Sequence, residues 1–236
     1  MIRWLCVAIV LASSPAHAGR TLYGWLPETE TLRDGFELAT SIYEHDDLGR
    51  YHERSTVLAW TPAVALTSSL ELAVPVELVT RTEDDAMPAS GIARYGAELR
   101  WSFVPRSSPL HAVARFALSR NVAIQSQVRG EVELAASYAY DRLEVAADLG
   151  GVLDVNVGHT HEELRPGLGI SVRVHDELRF GAELHAEWTR DTTATSWAVI
   201  GPDVAWARGR FWLAGALGIG IEHITAAPRL TIGMDW

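Results

Sequence analysis

The chain has 236 residues, 30 of them acidic against 20 basic, every basic one an arginine, with a formal net charge of −10 and a single cysteine. A net acidic chain gives a nucleic-acid partner no electrostatic support, and one cysteine allows no intramolecular disulfide. Beyond the first 18 residues no uninterrupted apolar run reaches the ~18 residues of a spanning helix, which excludes helical membrane spans.

Met1-Ile2-Arg3 carries one positive charge, Trp4 to Ala12 is apolar, and Ala16 and Ala18 offer a small-x-small cleavage site. The apolar run is too short to span a bilayer and suits a secretory signal core. Cleavage is expected after Ala18, leaving Gly19 as the mature terminus. Cys6 lies inside the apolar run, away from the end where a lipoprotein acylation site would sit. Gly19 to Gly35 follows, with Pro27 and the polar run Glu28 to Thr31. It reads as a periplasmic arm, with a plug folded up into the rest of the chain as the alternative. The expected organisation is therefore 1–18 signal, 19–35 arm or plug, and 36–236 a single all-β domain.

From Phe36 onward, apolar and polar residues alternate at period two, the spacing that sends successive strand side chains to opposite faces. About twelve strands are predicted, within 10–14. Those near Ser55 to Leu66 and Ser196 to Arg208 contain Pro62 and Pro202, which remove ladder donors and predict a bulge or a break. Between Ser69 and Arg81, Leu70, Leu72, Val74, Val76 and Leu78 oppose Glu71, Ala73, Glu77 and Arg81. From Arg94, Tyr95, Ala97, Leu99, Trp101 and Phe103 oppose Gly96, Glu98, Arg100 and Ser102. The same split recurs around Glu131, around Glu144, and from Leu164 to Arg173. It is clearest from Asp176 to Arg190, where Leu178, Phe180, Ala182, Leu184, Ala186 and Trp188 oppose Arg179, Glu183, His185 and Glu187. Phe211 to Ile221 opposes small residues, and Leu230, Ile232, Met234 and Trp236 close the chain on one face.

Connection lengths alternate as well. Short turns are expected near Thr67-Ser68, Pro105 to Pro109, Tyr140-Asp141, His175-Asp176 and Arg208-Gly209. Longer ones are expected at His45–His52, Thr82–Gly91, Asn121–Ser126, Asn156–Glu162, Asp191–Thr195 and His223–Ala227. Short turns at one end and long loops at the other, with one apolar and one charged face per strand, give a transmembrane antiparallel up-and-down β-barrel with short periplasmic turns and longer external loops. A secreted soluble β-sandwich, the other architecture with such strands, does not account for the loop asymmetry. Trp25, Tyr43, Trp60, Trp101, Phe103, Tyr138, Tyr140, Trp188, Trp206 and Trp236 fall near strand ends, as interfacial aromatic girdles would place them.

The signal at Met1 to Ala18, the strand-and-loop alternation from Phe36, and the terminal Leu230 to Trp236 together resemble the outer-membrane β-barrel proteins of Gram-negative bacteria as a broad class. No named transporter or enzyme subfamily is matched. The resemblance implies an outer-membrane location with both termini periplasmic, contact with outer-membrane lipid and lipopolysaccharide, and a terminal strand ending at Trp236 that the barrel assembly machinery reads.

Under this reading the charged face lines a lumen of mixed sign. Arg100, Arg115, Glu133, Arg173, Arg179, Glu183, His185 and Glu187 are the expected pore-lining residues. Their charges either line a hydrated conduit for a small polar solute or pair across the lumen and close it. The expected function is a porin-like passive channel without catalytic residues or cofactors. The alternatives are a non-conducting structural or adhesive barrel acting through its loops, and a lipid-modifying enzyme at the outer rim. His159, His161, Glu162 and Glu163 in one loop, and His45, Asp46, Asp47 and His52 in another, have the donor types a divalent metal needs, but a solvated polar loop accounts for them more simply and no metal is expected. Ser119 and His111 lie ~26 Å apart along one strand and form no dyad. Ser126 or Ser196 with His159 or His161 stays open on spacing.

Overall fold

The computed structural model describes residues 23–46, 53–83, 89–190 and 195–236. The expected signal segment lies outside them. The described residues form β1 (Phe36–Asp46), β2 (Glu53–Thr67), β3 (Leu70–Ala73), β4 (Val76–Glu83), β5 (Ala89–Ser102), β6 (Leu110–Asn121), β7 (Val128–Tyr140), β8 (Leu143–Asn156), β9 (His159–His175), β10 (Leu178–Thr189), β11 (Trp197–Arg208), β12 (Phe211–Glu222) and β13 (Ala226–Asp235). Every ladder is antiparallel. β3 and β4 lie end to end between β2 and β5, so the 13 segments make twelve staves. β1 pairs with β2 on one side and β13 on the other, which closes the sheet into a barrel.

Closure pairs the first and last strands of the described residues, and the alternation decides which face turns in. On β8 buried and exposed residues alternate along the strand. The buried set contains Glu144, Asp148 and Asp154, and the exposed set Leu143, Val145, Leu149 and Leu153. The same inversion holds on β7, where Val132 and Leu134 are more than half exposed while Arg129 and Ser137 are buried. Apolar residues face out and charged residues face in, the reverse of a water-soluble domain and the arrangement a lipid surround requires.

The two proline-containing strands carry the expected irregularities, register shifts at Ala65/Thr67 and Ala198/Val199, but neither is broken at its proline. β2 runs unbroken through Pro62, and β11 runs through Pro202 opposite Ala182. The interruption falls at Val74-Pro75, in the stretch from Ser69 to Arg81 read as one strand. The physical reason is local. Pro62 faces this interruption, its carbonyl accepting from the Val74 N–H at 2.9 Å. N–H and C=O of one strand residue point the same way, so the donor missing at Pro62 falls where its neighbour is already interrupted, while Pro75 turns its carbonyl to the Gly96 N–H of β5 at 3.0 Å.

At the end holding the start of β1 and the end of β13, four connections are two-residue turns, at 68–69, 141–142, 176–177 and 209–210. The fifth, 103–109, expected to be short, is seven residues long. The opposite end carries the longer loops, with one correction: Asn156–Glu162 is not a loop. Val157-Gly158 is a tight turn with Gly158 at φ 76, Asn156 pairs with His159, and β9 begins there. Glycine takes this left-handed φ without steric cost.

Phe36, Trp101, Phe103, Tyr138, Tyr140, Phe180, Trp206, Phe211 and Trp236 are exposed around the short-turn end. Trp25 and Tyr43, expected in the girdle, are corrections: both lie inside the barrel. Residues 23–32 run within the lumen, where Tyr23, Trp25, Leu26, Thr29, Thr31 and Leu32 are buried, and residues 33–35 emerge exposed at the short-turn end. The segment joins β1 through Gly35, whose φ of 76 turns the chain beside the carbonyl of Trp236.

Candidate functional site

The lumen is built from two walls and the arm that crosses it. On the wall from β3 to β10, inward arginines and carboxylates interleave. Arg100 on β5 bonds Glu71 on β3 at 3.0 Å and Glu98 on its own strand, and reaches Glu28 of the arm at 3.4 Å. Arg115 on β6 bonds Glu98 at 2.7 Å, Glu133 on β7 at 2.7 Å and Glu131 at 3.5 Å. Arg129 continues to Glu131 at 2.8 Å, Asp154 on β8 at 3.1 Å and Glu163 on β9 at 3.2 Å. Arg165 then joins Glu163 at 2.6 Å to Glu187 on β10 at 3.2 Å. Each guanidinium donates to two or more carboxylates, the arrangement that satisfies charges removed from bulk water.

This ladder runs along the wall between neighbouring strands. It leaves a cavity of about 440 Å³ whose walls carry eight carboxylates and seven guanidiniums. Residues 23–28 of the arm form one side, and the space extends toward the long-loop end past Ser55, Arg81 and Arg129.

The arm is held by its backbone. The N–H groups of Gly24 and Trp25 each donate to Glu183 Oε1 at 3.1 Å, and those of Trp25 and Leu26 donate to Oε2 at 2.9 and 3.2 Å. Successive amides turned to one carboxylate make an anion nest, here closed on a side chain of the barrel itself. The Trp25 indole donates to the Ala227 carbonyl on β13 at 2.8 Å, and its ring stacks on His185 at 5.1 Å. The Tyr23 hydroxyl donates to Ser171 Oγ at 3.3 Å, and burial raises the phenol above its ordinary pKa, which keeps it a donor. Farther along, Thr29 meets Ser137 at 2.9 Å, the Leu32 N–H donates to Glu71 Oε2 at 2.8 Å, and Arg106 of the 103–109 loop donates to the Thr31 carbonyl at 2.6 Å. The barrel has room for the arm because small residues face it: a Cβ on Gly169 would lie 2.5 Å from the Tyr23 ring.

Of the expected pore-lining residues, Arg100, Arg115, Glu133, His185 and Glu187 line the cavity. Glu183 faces the lumen but is turned to the arm. Arg179 lies toward the short-turn end and pairs with Glu144 at 3.0 Å. Arg173 is exposed at the short-turn rim, beyond the walls of the cavity, because it is two residues from the end of β9. Sequence reasoning missed Arg229 and Trp197 as lumen components and held the arm's entry into the lumen only as the alternative to a periplasmic arm. The inward glycines Gly167, Gly169 and Gly181 on adjacent strands were the available signal, since a patch without side chains on a charged wall leaves a recess to fill.

The histidine clusters form no metal centre among the described residues. His161 Nε2 meets Glu163 at 2.8 Å within the wall network, His159 is exposed at the start of β9, and the second cluster lies partly outside the described residues. The open serine–histidine pairings do not form: Ser126 donates to Asn156 at 2.5 Å, and Ser196 bonds the Thr189 backbone.

No known protein family and no curated protein matches the sequence. Among solved structures, the chain is similar to the KdgM porin, with a TM-score of 0.58 at 10% identity over 85% of this chain and 99% of that one. It is similar to the β domain of the Bordetella autotransporter BrkA, with a TM-score of 0.58 at 12% identity over 86% and 100%. The translocator domain of the autotransporter NalP from Neisseria meningitidis matches at 0.55 and 11% identity over 100% and 94%. This is the fold of a Gram-negative outer-membrane β-barrel. The barrel's inverted surface and its neighbours agree, while identities this low carry the architecture and no individual residue's role.

Proposed function

We propose that this chain is a porin-like channel in the outer membrane of a Gram-negative bacterium, admitting a small polar solute passively, with its short-turn end and both strand termini facing the periplasm. The observation that carries the reading is the direction of the ion pairs. They run along the wall and leave the cavity open to a hydrated solute, where pairing across the lumen would have filled it. Two neighbours of the same fold, KdgM and NanC, are porins. On the same reading the outward apolar belt contacts outer-membrane lipid and lipopolysaccharide, and the terminal strand ending at Trp236 is what the barrel assembly machinery engages.

The arm sets how such a channel conducts, because it occupies the lumen between the cavity and the short-turn end. Single-channel recording of the refolded mature chain in a planar bilayer is the test. Discrete steps are expected, larger when residues 19–32 are deleted, and shifted toward anion selectivity in Glu131→Gln, which removes one lining carboxylate. A folded, heat-modifiable barrel that conducts in neither full-length nor arm-deleted form would overturn the channel reading. It would leave the second reading, a non-conducting barrel acting through its external loops, which the lodged arm favours.

A further inference from the structure

The wall opposite the ion-pair ladder is of another kind. Arg229 of β13 lines the cavity there, and no carboxylate oxygen of the described residues lies within ion-pair distance of it. Its Nε is buried against the rings and has no hydrogen-bond partner among the described residues, so any ligand in the cavity is met by the terminal nitrogens of the guanidinium. Its position is nonetheless defined, because the Trp25 and Tyr43 rings hold its Cζ at 5.3 and 5.5 Å from their centroids. Ring contacts orient a guanidinium and leave its charge uncompensated. Glu183 attracts Arg229 at longer range, but the oxygens of Glu183 are taken up by the arm amides. Two residues along the same face, Thr231 meets Ser41 at 2.8 Å, and both line the same cavity.

A planar fork of N–H donors, fixed by aromatic rings and facing a wet cavity, matches the oxygens of a carboxylate or a phosphate. We infer that Arg229 binds the oxyanion group of a small solute inside the cavity, which names the solute class of the proposed channel and rests on that reading. The balanced walls support this role. Where the ladder guanidiniums are neutralised by their neighbours, an entering anion meets at Arg229 a cation with no ion-pair partner among the described residues, held at a defined place.

Equilibrium binding in detergent tests the site without needing an open pore. The refolded mature chain is titrated calorimetrically with sodium acetate and, separately, with sodium phosphate, at constant ionic strength set by sodium chloride. Saturable binding of at least one probe is expected, and the better probe identifies the oxyanion. Arg229→Gln is expected to weaken binding about tenfold or more, the effect of losing a charge-assisted contact, while Arg229→Lys retains most of it. Heat-modifiable mobility of each variant confirms that it is folded. Absence of saturable binding by both probes, or equal binding by a folded Arg229→Gln barrel, would overturn the assignment. A barrel that binds through Arg229 yet never conducts would sink the channel reading and leave the site standing.

Discussion

Glu183 is a charged residue whose surroundings are made by Gly24, Trp25 and Leu26, in the arm upstream of β1. Its two oxygens accept from three successive amides, so the side chain and the arm fix one another. Glu183→Gln keeps the volume but offers a single acceptor oxygen and turns an N–H₂ group toward amide donors. Arm docking is expected to weaken by about 1.5–3 kcal/mol, the range for hydrogen bonds to a charged group. Limited proteolysis would report it as faster cleavage between residues 19 and 32, and an unchanged rate would show that the amide contacts are dispensable. The inward direction of Glu183 was legible from its place opposite Leu184 on the best-patterned strand. Its partner was not, because Tyr23-Gly24-Trp25-Leu26 has the same aromatic and apolar content as a membrane-interface segment, and only the recess at Gly167, Gly169 and Gly181 separates the two readings.

At the scale of elements, the broken stave β3/β4 is where the arm's far end docks. Leu32 packs on Ala63 of β2 and Ala73 of β3, both almost fully buried, while its N–H reaches Glu71. Small side chains are needed on this patch, since Leu32 occupies the space larger ones would fill. Ala73→Leu is therefore expected to destabilise the barrel by about 1–3 kcal/mol through overpacking. The change should be smaller when combined with Leu32→Ala, and urea unfolding of the two single variants and the double variant measures that coupling. Strand existence was readable here because the apolar set Leu70, Leu72, Val74, Val76 and Leu78 keeps period two across the break. The break itself was misplaced because a proline's effect depends on which neighbour its missing donor faces. At Pro62 that neighbour is already interrupted, a fact of pairing that sequence alone does not contain.

The molecule as a whole is organised by an apolar surface turned outward over a charged interior, and that organisation sets its response to substitution. Leu134, 52% exposed near the middle of β7, is expected to tolerate Arg poorly in a bilayer, at a cost of about 2–4 kcal/mol. Reversible unfolding in liposomes measures this, and a cost near zero would mean that this surface does not meet lipid. The overall architecture was legible because period-two alternation and the turn asymmetry depend on local sequence. The contents of the lumen were not, because they depend on which distant strands face one another. The seam between β1 and β13 shows how distant: Ser41 meets Thr231 across a separation of 190 residues. Such a contact forms late, since the entropy of closing so long a loop opposes it until the intervening strands are in place. The arm's anchors lie on β3, β7, β10 and β13, on staves that surround the lumen only once that seam is shut. Sequestration of Trp25 is therefore a gauge of completed closure: a half-assembled barrel leaves residues 23–32 open to a protease, and a finished one covers them.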